Sequence, residues 1–228
     1  KDVIDNSGRT LTPTYSDIFR LSPSLYNQTG EPLISWMWTV DGNQWTRQNT
    51  LQSDLGMTGF DEFGDVWGQW GGPSVDLMDA FGVSPVDNPS ARATEKDTRR
   101  KVTMMMAGDF YPYFWQDKGG FDVLRFMYDA DYGVGGPGEF CGPCGAQNCK
   151  HLYGNNADHE TALGKSAARM AYELPTHILR LSDVYLIYAE ASLLTGNSAA
   201  ALEYVNKVRE RAGAAPLTSV AIKDIWKE

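Results

Sequence analysis

The residues best suited to chemistry are three cysteines and a histidine that lie close together in a glycine-rich segment. They are Cys141, Cys144, Cys149 and His151. Three thiolates and one imidazole form a common tetrahedral ligand set for zinc, and a bound ion would fix a segment that contains too much glycine to order itself. The spacing therefore predicts a structural zinc site. A Cys141–Cys144 or Cys144–Cys149 disulfide is the alternative for an exported protein.

The same segment contains Cys141-Gly-Pro-Cys144, which has the spacing of a thioredoxin-type dithiol. That chemistry needs the first cysteine at a helix N-terminus, directly after an apolar strand. The residues that follow do not form a clear helical pattern. A thiol redox protein is therefore a less favoured alternative, and it predicts insulin reduction that depends on Cys141.

A second set of candidates lies in residues 41–72, where aromatic and amide side chains alternate with glycines. Aromatic faces can stack on the C–H side of a pyranose, while amides can bond its hydroxyls. We therefore predict a long, irregular surface loop whose aromatic rings form flat platforms suited to ligand binding. The alternative is that these rings close a small core beneath the loop. Its predicted ligand-binding residues are Asn43, Trp45, Trp67, Gln69 and Trp70, and Tyr113 and Trp115 form a second, less polar set. Trp67 and Trp70 rank first because their glycine neighbours leave little bulk to bury them.

The same loop contains carboxylates, which raises the question of glycoside hydrolysis. They are Asp54, Asp61, Glu62 and Asp65. A glycosidase needs two carboxylates at a defined separation on a rigid scaffold, and an acidic loop supplies neither. An adventitious Ca²⁺ site or a solvated charge run is the better interpretation. With no Gly-x-Ser-x-Gly motif either, the sequence predicts no catalytic residue and no enzymatic activity.

Composition narrows the class of partner. The chain has 228 residues, with 29 acidic against 20 basic side chains and a formal charge of −9. Nucleic-acid binding is excluded as an interpretation, because it needs clustered basic residues. No run of about 18 apolar residues is present, so no membrane span is predicted. The first residues, Lys-Asp-Val-Ile-Asp-Asn, do not have the pattern of a signal peptide.

The elements that must position these residues differ along the chain. Residues 31–40 alternate, which predicts a strand whose apolar face places Trp36 and Trp38 in the core. Ser74 is placed to cap a short helix that Gly82 ends. Residues 104–106 are consecutive methionines, which are typical of an irregular core.

The last part of the chain has a helical composition. The apolar spacing predicts one helix over residues 178–194, ended by Gly196-Asn197, and a second over 198–212, capped by Ser198 and followed by Gly213. A third helical pattern covers 220–228, with Thr218 or Ser219 as its cap. Two helices joined by a short turn form an αα-hairpin, which cannot bury its faces alone. The chain therefore reads as a fragment of something longer.

These patterns predict a mostly α fold, in which tetratricopeptide-like helical hairpins accompany a large, loop-rich, irregular subdomain that carries short strands. The predicted boundary separates an aromatic-rich ligand-binding subdomain, residues 1–170, from a truncated helical segment, residues 171–228.

A family resemblance rests on the helical segment. Residues 177–191 read His-Ile-Leu-Arg-Leu-Ser-Asp-Val-Tyr-Leu-Ile-Tyr-Ala-Glu-Ala, and residues 201–213 read Ala-Leu-Glu-Tyr-Val-Asn-Lys-Val-Arg-Glu-Arg-Ala-Gly. Together they closely resemble the signature of the SusD/RagB family. Residues 73–81 and Asp97-Thr-Arg99 are similar to two further elements of that family. The resemblance covers roughly residues 30–228 and is more specific for the helices than for the loops.

The resemblance implies a surface glycan-binding lipoprotein of the outer membrane. Such a protein holds an oligosaccharide without catalysis and delivers it to a SusC-like, TonB-dependent transporter. It also implies that the chain is a C-terminal-half fragment, that its only membrane attachment is an N-terminal lipid anchor outside this chain, and that no cofactor is required. The alternative is a helical-repeat scaffold whose loops bind protein or peptide ligands.

Overall fold

The computed structural model describes residues 1–26, 30–40, 49, 51–61, 72–84, 92, 94–134, 145–168 and 171–228. Its helices are α1 (Asp2–Asn6), α2 (Pro23–Tyr26), α3 (Leu51–Leu55), α4 (Val75–Phe81), α5 (Arg99–Thr103), α6 (Val123–Tyr128), α7 (Asn156–Leu163), α8 (Leu181–Leu194), α9 (Ser198–Arg211) and α10 (Ile222–Ile225). Its strands are β1 (Pro32–Trp36), β2 (Met104–Met106), β3 (Phe110–Tyr111), β4 (Phe121–Asp122), β5 (Ala146–Asn148) and β6 (Thr176–Arg180), with 3₁₀ turns at Tyr15–Phe19 and Gln116–Lys118.

Helices α8 and α9 form the predicted αα-hairpin. The edges of Tyr185 and Tyr188 meet the ring of Tyr204, with centroids 5.0 and 4.9 Å apart, in a cluster that also buries Ala189 and Ala201. The helix-rich fold class is confirmed, while the tetratricopeptide likeness and the boundary after residue 170 stay predictions. None of the helices in the described ranges combines the length and apolar character that a bilayer crossing requires.

The ends of the helices correct three sequence predictions. Asn197, not Ser198, caps α9, because the Asn197 side chain accepts the Ala200 N–H at 3.1 Å. The third helix is only α10 and begins after Ala221, whose N–H donates to Asp224 at 2.8 Å. Ile178 lies in strand β6, and α8 begins only at Leu181.

Strand β6 forms because it pairs with β1 in an antiparallel two-stranded sheet. The Leu181 N–H then donates to the Glu31 carbonyl at 3.0 Å, and the Asp183 carboxylate accepts the Arg180 N–H at 2.8 Å. Hydrogen bonds to a distant strand therefore outweigh the helical spacing of Ile178.

The alternation of residues 31–40 does not place both tryptophans in the core. Trp36 is 62% exposed, and Ile34 on the same face is also exposed. Trp38 is half-buried and donates its indole N–H to Thr176 Oγ1 at 3.0 Å. The core prediction for Trp36 is wrong, because no described element packs over that face of the sheet.

Twelve buried side chains of the described residues between 57 and 152 pack into one cluster, here called the aromatic core. Its buried members are Met57, Phe60, Met105, Tyr111, Phe114, Trp115, Phe121, Val123, Phe126, Tyr132, Cys149 and Leu152. Two short antiparallel pairs, β2 with β5 and β3 with β4, bring these segments together. The prediction that Met104, Met105 and Met106 fill a core is confirmed, since all three are buried.

The local prediction for α4 is confirmed. Ser74 Oγ accepts the Leu77 N–H at 3.2 Å, and Gly82 ends the helix at a φ of 67°.

The irregular loop predicted over residues 41–72 is corrected in its described part. That part contains helix α3, and Phe60 is buried in the aromatic core rather than held on the surface.

Candidate ligand-binding site

The predicted site residues divide into two groups. Asn43, Trp45, Trp67, Gln69 and Trp70, together with Cys141 and Cys144, lie outside the described residues. Tyr113, Trp115, Cys149 and His151 lie within them. The structure also describes the residues that flank the aromatic-rich segment 41–72.

Two neighbouring residues, Glu173 and Leu174, contact both sides of segment 41–48. The buried Glu173 carboxylate accepts the Val40 N–H at 2.8 Å and the Thr39 hydroxyl at 3.1 Å. On the other side, the buried Asn49 side chain donates to the Leu174 carbonyl at 3.2 Å. Two adjacent residues, one through its carboxylate and one through its backbone carbonyl, therefore hold the residues on both sides of this segment.

Gln52, which is buried, joins the next part of the loop to the rest of the molecule. Its Nε2 donates to the Gly154 carbonyl at 3.0 Å and to Asp61 Oδ2 at 3.2 Å. Its Oε1 accepts the Tyr153 N–H at 2.6 Å, and its own N–H donates to the Tyr172 hydroxyl at 2.6 Å. The side chain and the backbone N–H of Gln52 therefore fix the described residues before segment 62–71 to two distant segments.

A buried histidine supports Glu173 and makes the stability of this region depend on pH. His159 Nδ1 lies 2.7 Å from the Lys165 carbonyl, and its Nε2 accepts the Glu173 N–H at 3.3 Å. Nε2 can accept only in the neutral ring, and burial lowers the pKa of His159 below its ordinary value of 6.5. At pH values below 6.5, the ordinary pKa of histidine, the unfolded chain therefore binds more protons than the folded one. Acidification thus favours unfolding.

We therefore expect the free energy of unfolding, measured by urea denaturation, to be lower at about pH 5 than at pH 7. His159→Gln should reduce that difference without abolishing it, because burial also lowers the pKa of His151 and of His177. Equal stability of the natural protein at the two pH values would contradict this prediction.

Trp115 is not a ligand-binding residue, which corrects the sequence prediction. Its side chain is 0% exposed at the centre of the aromatic core, with ring centroids 4.9 Å from Phe121 and 5.0 Å from Tyr132. Its indole N–H donates to the Phe60 carbonyl at 2.9 Å, and its backbone N–H donates to Asp158 at 2.7 Å. A ring with both faces packed cannot stack on a sugar.

Tyr113 has a different environment. It is half-buried, the Arg20 guanidinium lies 4.9 Å from its ring centroid, and burial raises the pKa of its hydroxyl. It lines a cavity of about 410 Å³. The structure therefore places Tyr113 where a small ligand could contact it.

The walls of this cavity, here called the Tyr113 cavity, combine an aromatic face with polar groups. Its lining residues are Ser16, Arg92, Glu95, Asp97, Thr98, Arg100, Lys101, Val102, Gly108, Asp109, Phe110 and Tyr113. Phe110 is 44% exposed, and no sequence pattern singled it out. The detectable signal was Gly119-Gly120, since the backbone of Gly120 lies against the Phe110 ring. The cavity has the composition that sugar recognition requires.

The cysteine cluster is only partly described. Cys149 is buried in the aromatic core, and burial raises the pKa of its thiol to about 12. Its neighbour His151 is half-buried, and its backbone carbonyl accepts the Tyr172 hydroxyl at 3.2 Å. The described ranges contain no group of three or more histidine, cysteine or acidic side chains arranged to hold a metal. The zinc and calcium sites stay predictions, because Cys141, Cys144 and part of the acidic loop lie outside those ranges.

Known proteins provide an independent comparison. A model of the SusD family matches residues 36–225. A SusD-like protein of Bacteroides ovatus is 31% identical over 235 aligned residues, which cover 100% of this chain and 36% of that protein. The chain therefore spans little more than a third of the length of this relative.

Solved structures also have folds similar to that of this chain. A crystal structure obtained with a xylogluco-oligosaccharide has a TM-score of 0.71 and 28% identity, over 99% of this chain and 39% of that one. A laminarin-binding SusD-like protein has a TM-score of 0.60 and 20% identity, over 97% of this chain and 42% of that one, which shows a shared fold alone.

Proposed function

Because the chain belongs to the SusD family, we propose that it takes part in binding a nutrient glycan without catalysing a reaction on it. The observation that carries this proposal is the family match over residues 36–225. A structure of similar fold that was obtained with a xylogluco-oligosaccharide, and a laminarin-binding relative, support an oligosaccharide or polysaccharide as the ligand.

We propose that the main contacts come from the aromatic-rich segment. Trp67 and Trp70 would stack on sugar rings, with Trp45 as a further ring and Asn43 and Gln69 as hydrogen-bonding amides. The support in the structure is the buried framework around this segment, in which Gln52 and Glu173 fix the flanking residues. A rigid framework lowers the entropy that a binding loop loses when its ligand is held.

The variants Trp67→Ala and Trp70→Ala test this proposal. Each removes a stacking face, and we expect each to weaken glycan binding about tenfold, equivalent to about 1.4 kcal/mol. Affinity gel electrophoresis of the purified protein in gels that contain xyloglucan, laminarin or other soluble polysaccharides measures the effect. Binding strength should follow the order natural protein, single variants, double variant.

Trp36→Ala is the matched control. It removes an equally large, exposed ring from the sheet of β1 and β6, and it should leave binding unchanged. Equal binding by all variants would remove these tryptophans from the site. If no glycan-containing gel retards the natural protein, the alternative of a scaffold for protein or peptide ligands gains support.

The cellular setting is part of the same proposal. Family membership supports a place at the outer membrane, on the cell surface, with lipid attachment outside this chain. Delivery of the glycan to a SusC-like, TonB-dependent transporter would follow from that position. Copurification of the protein with such a transporter from outer membranes would support this step.

A further inference from the structure

Phe110 gives the Tyr113 cavity an aromatic face whose position is fixed. A Cβ atom on Gly120 would lie 2.3 Å from Phe110 Cζ, so the ring can lie against the backbone only because residue 120 is glycine. The φ of Gly120 is 114°, which side-chain-bearing residues rarely adopt. Phe110 nevertheless remains 44% exposed, so part of a positioned ring is free to contact a ligand.

Tyr113, the other aromatic residue of the described lining, has less free surface. The Arg20 guanidinium lies 4.9 Å from its ring centroid, and the rings of Phe114 and Tyr111 lie at centroid distances of 4.8 and 5.7 Å. Phe110 forms no ring or cation contact of this kind with another described residue. The ring available for stacking is therefore Phe110, while Tyr113 is packed into the cavity wall.

The charged residues of the described lining balance one another. The cations are Arg92, Arg100 and Lys101, and the carboxylates are Glu95, Asp97 and Asp109. Arg100 Nη2 lies 2.7 Å from Glu95 Oε2 and 3.0 Å from Asp109 Oδ1, and Arg99 Nη2 lies 2.6 Å from Asp97 Oδ2. This lining has no excess charge to compensate that of an ion, so it favours a neutral polar ligand.

Accessible hydrogen-bonding groups remain in the same lining. The Ser16 hydroxyl and the Lys101 ammonium group have no hydrogen-bond partner among the described residues. Neither belongs to the enclosed, unpartnered polar atoms of those residues, so both groups are open to solvent. The side chains of Glu95 and Asp97 are 19% and 27% exposed, and a carboxylate has more acceptor sites than one arginine occupies. The lining therefore offers both donors and acceptors to a ligand.

These features together match a neutral pyranose. Its C–H face can stack on a flat ring, and its hydroxyls both donate and accept hydrogen bonds. The cavity volume of about 410 Å³ lies at the lower end of the range for small-ligand sites, roughly 300–1,000 Å³. That volume favours a single sugar unit or a very short stretch of glycan.

We propose that the Tyr113 cavity is a second glycan subsite, which binds a neutral pyranose unit with its C–H face on Phe110 and its hydroxyls on Ser16, Lys101 and Glu95. This inference rests on the proposed function, since it takes the ligand to be a glycan. It adds a point of attachment within the described residues, separate from the tryptophans of segment 41–72.

Saturation-transfer NMR with the purified full chain tests the subsite on single sugars. The panel contains the methyl β-glycosides of glucose, xylose, galactose and mannose, together with methyl β-glucuronide as the charged counterpart of the glucoside. At least one neutral glycoside should bind, with the strongest transfer to its ring C–H protons. Methyl β-glucuronide should bind no more tightly than methyl β-glucoside, because the lining has no excess positive charge for its carboxylate.

The same measurement on a Trp67→Ala, Trp70→Ala double variant removes the stacking faces of the other segment. In that background, Phe110→Ala should weaken binding of the sugar about tenfold, because it removes the stacking ring. Ser16→Ala should weaken it about two- to tenfold, because it removes one hydrogen-bond partner. Thermal unfolding checks that the variants are folded.

Tyr128→Ala is the matched control. Tyr128 is 76% exposed and lies outside this lining, so its removal deletes an exposed aromatic ring without changing the cavity. The sugar should bind to this variant as tightly as to its parent.

The outcomes separate this inference from the proposed function. If no sugar receives saturation from the natural protein or the double variant, the subsite is overturned even when affinity gels show glycan binding. Binding that survives both Phe110→Ala and Ser16→Ala also overturns it. Binding that the double variant loses and Phe110→Ala alone retains would leave the proposed function intact and limit the pyranose contacts to segment 41–72.

Discussion

Replacing Arg100 with methionine is expected to lower the free energy of unfolding by about 3–5 kcal/mol. Arg100 is 1% exposed and lies between Glu95 and Asp109. Methionine keeps most of the apolar stem but leaves both carboxylates without their cation. Breaking a buried ion pair from one side is costly because the remaining charges are neither solvated nor compensated.

Urea denaturation followed by tryptophan fluorescence measures this loss. Arg125→Met is the control, since Arg125 forms an ion pair of similar length, 2.8 Å to Asp129, on the exposed surface. Exposed pairs contribute little, so its unfolding midpoint should hardly move. Similar midpoints for the two variants would show that burial does not determine the strength of the Arg100 pair.

Features that depend on neighbouring residues were predictable from the sequence. Ser74 and Gly82 bound α4 because a hydroxyl cap and a left-handed glycine act within one turn of helix. Gly213 follows α9 for the same reason, with a φ of 81°. The hairpin and the family followed from such local patterns.

Burial was less predictable, because it depends on segments far apart in the chain. Trp36 and Trp115 both lie in apolar stretches, yet Trp36 is exposed and Trp115 fully buried. Alternation shows that one face of a strand is apolar but not what covers that face. Trp115 is held by Asp158, 43 residues further along, and no local pattern reports that hydrogen bond.

The Tyr113 cavity shows the same limit at the candidate site. Tyr113 could be selected as an aromatic residue, but Phe110 looked equivalent to its neighbours. Its exposure depends on the turn at Gly119 and Gly120, and the ion pairs in the cavity wall depend on which carboxylates Arg99 and Arg100 contact. Such pairings are properties of the folded chain, so the sequence could supply the class of site but not its location.

Gly154 is a position where the fold leaves no room for a side chain. Its φ is 105°, and a Cβ atom there would lie 2.1 Å from Asp158 Oδ2. That carboxylate cannot move freely, because it accepts the backbone N–H groups of Trp115 at 2.7 Å, Gln116 at 3.0 Å and Asn155 at 3.1 Å. The Gly154 carbonyl also accepts from Gln52, which fixes the residues beside segment 62–71.

Gly154→Ala should therefore lower the free energy of unfolding by about 2–6 kcal/mol, the sum of about 1–3 for backbone strain and about 1–3 for overpacking. Gly164→Ala is the control at the other end of α7, where φ is 71° and nothing lies within 4 Å of an added Cβ. Gly164→Ala introduces the same backbone strain at a positive φ but no steric clash. It should lower the free energy of unfolding by only about 1–2 kcal/mol. If the two variants lose the same free energy of unfolding in urea denaturation, the Asp158 side chain moves away from the added Cβ atom at no cost. A larger loss for Gly154→Ala, together with weaker glycan retardation, would show that this hydrogen-bonded framework supports both the fold and the ligand-binding segment.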